Sequence, residues 1–204
     1  MVSAREGDIE VLKENTNRLM RLDLVGDSII SHCISENTED SFASLQYIAT
    51  TPSFKKLLHL PNYMDGNYPL LFAVLKGSEK NLQFLLNNGA RILTSDNHFG
   101  SPAPLLHAAV NKAHTGILHI LLHDLATSHD KYDHQTRAYL LQFRATPIEH
   151  TEPITAEEYA LQIGHTGHAT LLAQMREHFV TSWTLRTHGK EPALALQARA
   201  LKQI

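Results

Sequence analysis

DGNYPLLFAVLKGSEKNLQFLLNNGA, residues 65–90, decides how this chain reads. It predicts a turn, a short helix, a tight turn, a second helix and a glycine stop. Pro69 falls in a first helical turn, where a missing N–H is tolerated. Leu70, Ala73 and Val74 then share one face at i, i+3 and i+4. Gly77 breaks that helix, and Ser78 can cap the next by accepting backbone N–H bonds. Leu82, Leu85 and Leu86 repeat the face pattern, and Gly89 suits a left-handed stop. Isolated helices shorter than about 12 residues are marginal in water. The unit must therefore lean on neighbours built like itself.

Such neighbours recur along the chain. Residues 2–14 form an opening half-unit, with Gly7 on Gly77, Ser3 on Ala73 and Leu12 on Leu82, and helix expected to about Leu22. Residues 26–48 form a complete unit: Gly26 on Gly66, Ile29 on Pro69, Ile30 on Leu70, Cys33 on Ala73, Phe42 and Leu45 on Leu82 and Leu85. Asn37 stands in for the breaking glycine, since asparagine visits positive φ. Residues 100–122 form the next unit, with Pro104 set on Pro69 at an offset of 35. That register lays Leu105, Ala108, Ile117, Ile120 and Leu121 on Leu70, Ala73, Leu82, Leu85 and Leu86. Residues 155–172 resume the pattern through Thr155, Ala160, Gly164, His165, Ala169 and Leu172. Two inserts interrupt the series. Residues 49–64 read as a short helix and an extended finger, and 127–150 as an insert with a helix over Gln135–Phe143. The tail carries a final helix after Pro192.

Tyr68, Pro69, Leu70, Leu71, Phe72 and Ala73 resemble the T-P-L-H-x-A signature of the ankyrin repeat. Tyr68 and Leu71 stand where the family has Thr and His. The resemblance implies an all-α fold: an α-solenoid of stacked helix–turn–helix ankyrin-type repeats, one partial and four complete. It assigns 1–174 to the repeat domain, with inserts at 49–64 and 127–150, and 175–204 to a C-terminal helical cap or tail. It gives His165 a structural role in the turn between helices. It also sets His32, Phe72, His107 and Tyr159 in one slot, as a column of flat rings.

Composition excludes several functions. With 18 Lys+Arg against 21 Asp+Glu the net charge is −3, without the basic face that nucleic acid requires. One cysteine permits no internal disulfide and fits a reducing compartment. No apolar run reaches the roughly 18 residues that cross a bilayer, so no membrane span is expected. The N-terminus lacks a signal-peptide core. The expected location is cytoplasmic, or the host-cell cytosol for a secreted effector. The 14 histidines read as polar surface and turn residues.

Candidate chemistry is sparse. Cys33 occupies a buried small-residue slot, where a thiol is inert. His119 and His123 are spaced for one metal on a helix, with His129, Asp130, Asp133 and His134 nearby, yet they lie between core positions. No phosphate-cradling glycine loop and no paired catalytic carboxylates stand out. A non-enzyme is expected, with no catalytic residues, no cofactor and no metal ligands.

The ankyrin resemblance then supplies the function: a monomeric scaffold that binds an unidentified protein partner on its concave surface. The family's variable positions map to Asp27, Ser35, Glu36, Asn67, Leu75, Lys76, Val110, Asn111, Gln162 and Ile163. Leu75, Val110 and Ile163 are expected to form an apolar column with polar neighbours. Two alternatives remain. One is the recognition domain of a larger regulatory protein or bacterial effector. The other is a His-rich metal-binding protein or unrecognised enzyme using residues 123–150.

Overall fold

The computed structural model describes residues 4, 6–24, 26–62, 66–92, 105–147 and 152–186, with backbone alone beyond Phe179. Asp65, Pro104 and the final helix expected after Pro192 lie outside the described residues. The protein is all-α: eleven helices, one 3-10 turn and one antiparallel pair of two-residue strands occur among the described residues. The chain divides into two units, residues 1–120 and 121–204.

The first unit opens with α1 (Ile9–Glu14). Asp8 caps it by accepting from Val11 N–H at 3.1 Å. The helix stops well short of Leu22. Asn15 donates its side-chain amide to Val11 O at 2.9 Å and its N–H to Leu12 O at 3.2 Å. Those bonds satisfy the last carbonyls and tighten the chain into a 3-10 turn at Thr16–Arg18.

Two helical hairpins follow: α2 (Ile29–Glu36) with α3 (Glu39–Ala49), and α5 (Pro69–Lys76) with α6 (Glu79–Asn87). The one-turn helix α4 (Phe54–Leu57) lies between them. Caps set the helix starts. Ser28 caps α2, Thr38 and Ser41 form a reciprocal capping box on α3, and Ser78 caps α6. A residue in the left-handed region ends each first helix: Asn37 at φ 52° and Gly77 at φ 66°. α2 packs on α3 and on α5, and α5 packs on α6 and on α7 (Leu105–Asn111). The small residues Cys33 and Ala73 are fully buried, as is Ala109, so the backbones approach closely. Leu45, Ile48, Leu82, Leu85 and Leu86 fill the space beneath. Each such side chain contributes about 1.5–3 kcal/mol of burial. Phe42 departs from its expected core slot. Ser41, Ser44, Leu45 and Ile48 are the buried residues of α3. Phe42 instead meets Phe84 edge-on at 5.3 Å, with the Lys80 ammonium over its face.

The third hairpin pairs α7 with α8 (Thr115–Thr127), and its register differs from expectation by one residue. Ser78 N–H bonds Ala73 O at 3.0 Å, and the matching bond runs from His114 N–H to Ala109 O at 3.2 Å. Ala113, at φ 54°, matches Gly77. The offset is thus 36, not 35. Ala109 takes the slot of Ala73, and Leu118, Leu121 and Leu122, all buried, take those of Leu82, Leu85 and Leu86. Ile120 is only half-buried.

The second unit contains the end of α8, then α9 (His134–Gln142), β1 (Arg144–Ala145), β2 (Ile154–Thr155), α10 (Ala156–Gln162) and α11 (Thr166–Arg186). The insert helix lies one residue from its expected span. The strands pair Arg144 with Thr155 and Ala145 with Ile154. Two residues are too few to show alternation, so the sequence holds no sign of them. α10 packs on α11, which also packs on α9. A capping box of Thr155 and Glu158 starts α10. Glu157 occupies an otherwise apolar slot by pairing with Arg176, at 2.9 and 3.3 Å. α11 runs unbroken through 174 and 175, so no structural division falls there. Asp124, buried, accepts from Ser128 Oγ at 2.7 Å, Lys131 Nζ at 2.8 Å and Tyr132 OH at 3.1 Å. Those three bonds fix the turn after α8.

Candidate binding surface

The expected partner-binding residues belong to two local settings: the extended fingers before a hairpin, and the last turn of its first helix. The finger before α2 is a tight loop. Asp23 Oδ1 accepts from Asp27 N–H at 2.9 Å, and Gly26 N–H reaches Asp23 O at 3.1 Å. Gly26 turns the chain at φ 84°. The finger before α5 repeats this through Asn62, whose Oδ1 accepts from Asn67 N–H at 3.2 Å, with Gly66 at φ 67°. A cross-bond joins the fingers: Asn62 Nδ2 donates to Asp27 Oδ1 at 3.1 Å. Asp27 and Asn67 are therefore half-buried and partly committed to the loops.

At the helix ends, Ser35 is half-buried and Glu36 exposed on α2, and Leu75 and Lys76 are exposed on α5. Val110 is corrected: it is 0% exposed. The one-residue register shift carries it into the slot of Val74, inside the core, and brings Asn111 into that of Leu75. Asn111 is exposed. The expected apolar column of Leu75, Val110 and Ile163 therefore lacks its middle member. In the second unit Gln162 is exposed and Ile163 half-buried.

Two leucines that are more than half exposed were missed by sequence reasoning. Leu24, at the tip of the first finger, is fully exposed, and Leu161 on α10 is more than half exposed. The sign of Leu24 was available. A leucine between the loop-forming Asp23 and Gly26 has no core to face.

The other candidates have structural settings. Cys33 is buried, donates to Ala4 O at 3.6 Å, and its thiol is pushed up to about 12 by desolvation. It stays a protonated thiol at neutral pH. The ring column does not form as expected. His107 moves to the slot of Leu71 with the register shift. His32, buried, turns its Nε2 to Asp23 Oδ2 at 2.7 Å. His165 closes its turn through N–H to Ala160 O at 2.8 Å, and its ring meets His168 edge-on. His119 and His123 are both exposed. Among the described residues the insert forms no group of three metal-type ligands, whereas Asp23, Asp27 and His32 do.

No protein-family model and no curated protein matches the sequence. Among solved structures, a chain of the complex between Bd0816, a predatory endopeptidase from Bdellovibrio bacteriovorus, and the immunity protein Bd3460 aligns with this one. The alignment covers 84% of this chain and 95% of that one, at 16% identity and a TM-score of 0.43. A likeness at that level carries no functional argument.

Proposed function

We propose that this chain is an ankyrin-type repeat protein, an α-solenoid in architecture, that binds a protein partner through its finger tips and first-helix ends. One observation supports the reading above the rest. The left-handed residues recur by slot. Gly7, Asn37, Gly77, Ala113 and Gly164 each follow a first helix or its half-unit equivalent, and Gly26 and Gly66 each turn a finger. Left-handed backbone costs an ordinary residue about 1–2 kcal/mol, so its repetition at matched positions marks one repeating design. The hairpins spend their apolar faces on each other and leave Leu24, Leu75, Lys76 and Asn111 in water. Apolar centres with polar neighbours suit a protein interface.

The test is a pull-down from lysate with the wild-type protein and a Leu24→Asp/Leu75→Asp variant. Both side chains are exposed, so helix content by circular dichroism should not change. A retained protein whose capture falls at least tenfold in the variant is the expected result. Equal capture by both, or none by either, overturns the reading.

A further inference from the structure

Outside the core, the finger before α2 gathers three ligand-type side chains. One oxygen each from Asp23 and Asp27 and one ring nitrogen from His32 lie within 4.8 Å of one another. His32 is 5% exposed, and its Nε2 is aimed into the group. A buried imidazole held among carboxylate oxygens is a different arrangement from an exposed acidic patch. Asp27 adds a second carboxylate to the Asp23–His32 pair, and its Oδ1 accepts from the neutral amide of Asn62. A divalent cation neutralises two carboxylates and a neutral ring.

We propose that Asp23, Asp27 and His32 bind one divalent cation of the zinc type, with water completing the shell. Imidazole and carboxylate suit Zn²⁺, whose bonds of about 2.0–2.2 Å set neighbouring ligand atoms roughly 3–4 Å apart. The side chains close the present spacing by small rotations. His32 Nε2 and Asp23 Oδ2, now sharing a proton at 2.7 Å, would share the cation instead. Asn62 Nδ2 donates to Asp27 Oδ1 at 3.1 Å. That bond orients the ligand as outer partners do in metal sites. The ion would tie the finger to the first turn of α2 and stiffen the tip that carries Leu24.

Isothermal titration with ZnCl₂ tests this on the full chain. Asp27→Asn is the decisive variant, because it keeps the amide contact to Asn62 and removes the ligand charge. One equivalent should bind the wild type, and affinity should fall at least tenfold in Asp27→Asn, with the metal-free melting temperature unchanged. MgCl₂, which does not favour nitrogen ligands, should bind at least tenfold more weakly. His32→Gln should lose the same zinc event. Zinc heats that are absent, or identical in wild type and Asp27→Asn, overturn the site. Magnesium binding equal to zinc overturns the histidine as a ligand.

Discussion

Asn37 Oδ1, in the turn after α2, accepts from Nδ2 of Asn81 on α6 at 3.2 Å. The same oxygen accepts from Ser78 Oγ. Ser78 and Asn81 are buried. The residue that ends the first helix of one hairpin thus bonds the cap of the second helix in the next. A glycine in that place would do the first job and not the second.

Asn37→Gly therefore sets two effects against each other. It relieves a left-handed residue, worth about 1–2 kcal/mol at most and less for asparagine. It also strips an acceptor from two buried donors, at about 1–3 kcal/mol each. The second effect, about 2–6 kcal/mol in all, is larger, so the variant should be less stable by at least about 1 kcal/mol. Asn37→Ala loses the bonds and keeps the strain, and should fall further. Urea unfolding should order the midpoints as wild type, then Gly, then Ala.

Ala113 and Gly77 invite the opposite exchange. Ala113 holds φ 54° with a Cβ. Ala113→Gly removes about 1–2 kcal/mol of backbone strain and adds about 0.5–1 kcal/mol of unfolded-state freedom, for a net gain of roughly 0.5 kcal/mol. Gly77→Ala brings that strain in at φ 66°, and its Cβ would stand 2.7 Å from His114 Cε1. It should cost at least about 1 kcal/mol. Thermal melts of the two variants should shift in opposite directions.

Those positions also show what the sequence could and could not supply. Asn37, Gly77 and Gly164 were legible as helix breakers because their residue types advertise positive φ. Ala113 was not, since alanine advertises helix. The run PLLHAAV offers two alanines for one close-packed slot, and Pro104 drew the register to the wrong one. The hydrogen bond from His114 N–H to Ala109 O and the left-handed Ala113 distinguish them. Val110 entered the candidate surface through that slip. The Asp23–Asp27–His32 group was hidden differently. A finger loop brings 23 and 27 beside a helix residue at 32, and periodicity says nothing of loops.

Acid should weaken the second unit. Asp133 caps α9, and its carboxyl lies below the usual carboxylate range, chiefly through hydrogen bonding to the Thr136 side chain and then its N–H. Glu158 lies low as well. Burial, its largest single influence, pushes it up, but Thr155 N–H and Arg144 together outweigh that. A carboxyl lowered by folding stabilises above its unfolded value, about 3.9–4.3, and loses that contribution as pH falls through its folded value. Asp133→Asn keeps the cap and removes the charge. Its urea midpoint should lie below wild type at pH 7, and the two should converge as pH falls through the folded carboxyl's lowered value.

Arg137 makes the sharpest energetic prediction. It is 1% exposed on α9. Its Nη2 donates to His129 Nδ1 at 2.8 Å, and its guanidinium lies 5.5 Å from the Phe179 ring centroid. Its Nε has no acceptor, and no ion pair to it occurs among the described residues. A buried charge with no carboxylate in ion-pair contact carries a desolvation cost of several kcal/mol, which the more distant charge of Asp133 offsets only in part. The bond to His129 and the ring contact return about 1–3 kcal/mol each. Methionine has similar reach and no charge. Arg137→Met should therefore match or exceed wild-type stability by about 1 kcal/mol, with the freed His129 ring reaching water at its exposed site. Arg137→Lys keeps the charge and loses the planar fork, and should lose about 1–3 kcal/mol. Arg137→Ala leaves a cavity beside Phe179 and should lose about 3 kcal/mol. Guanidinium unfolding should rank them Met, wild type, Lys, Ala. Methionine falling below lysine would mean that the guanidinium stabilises this unit through its charge, and the desolvation argument would fail.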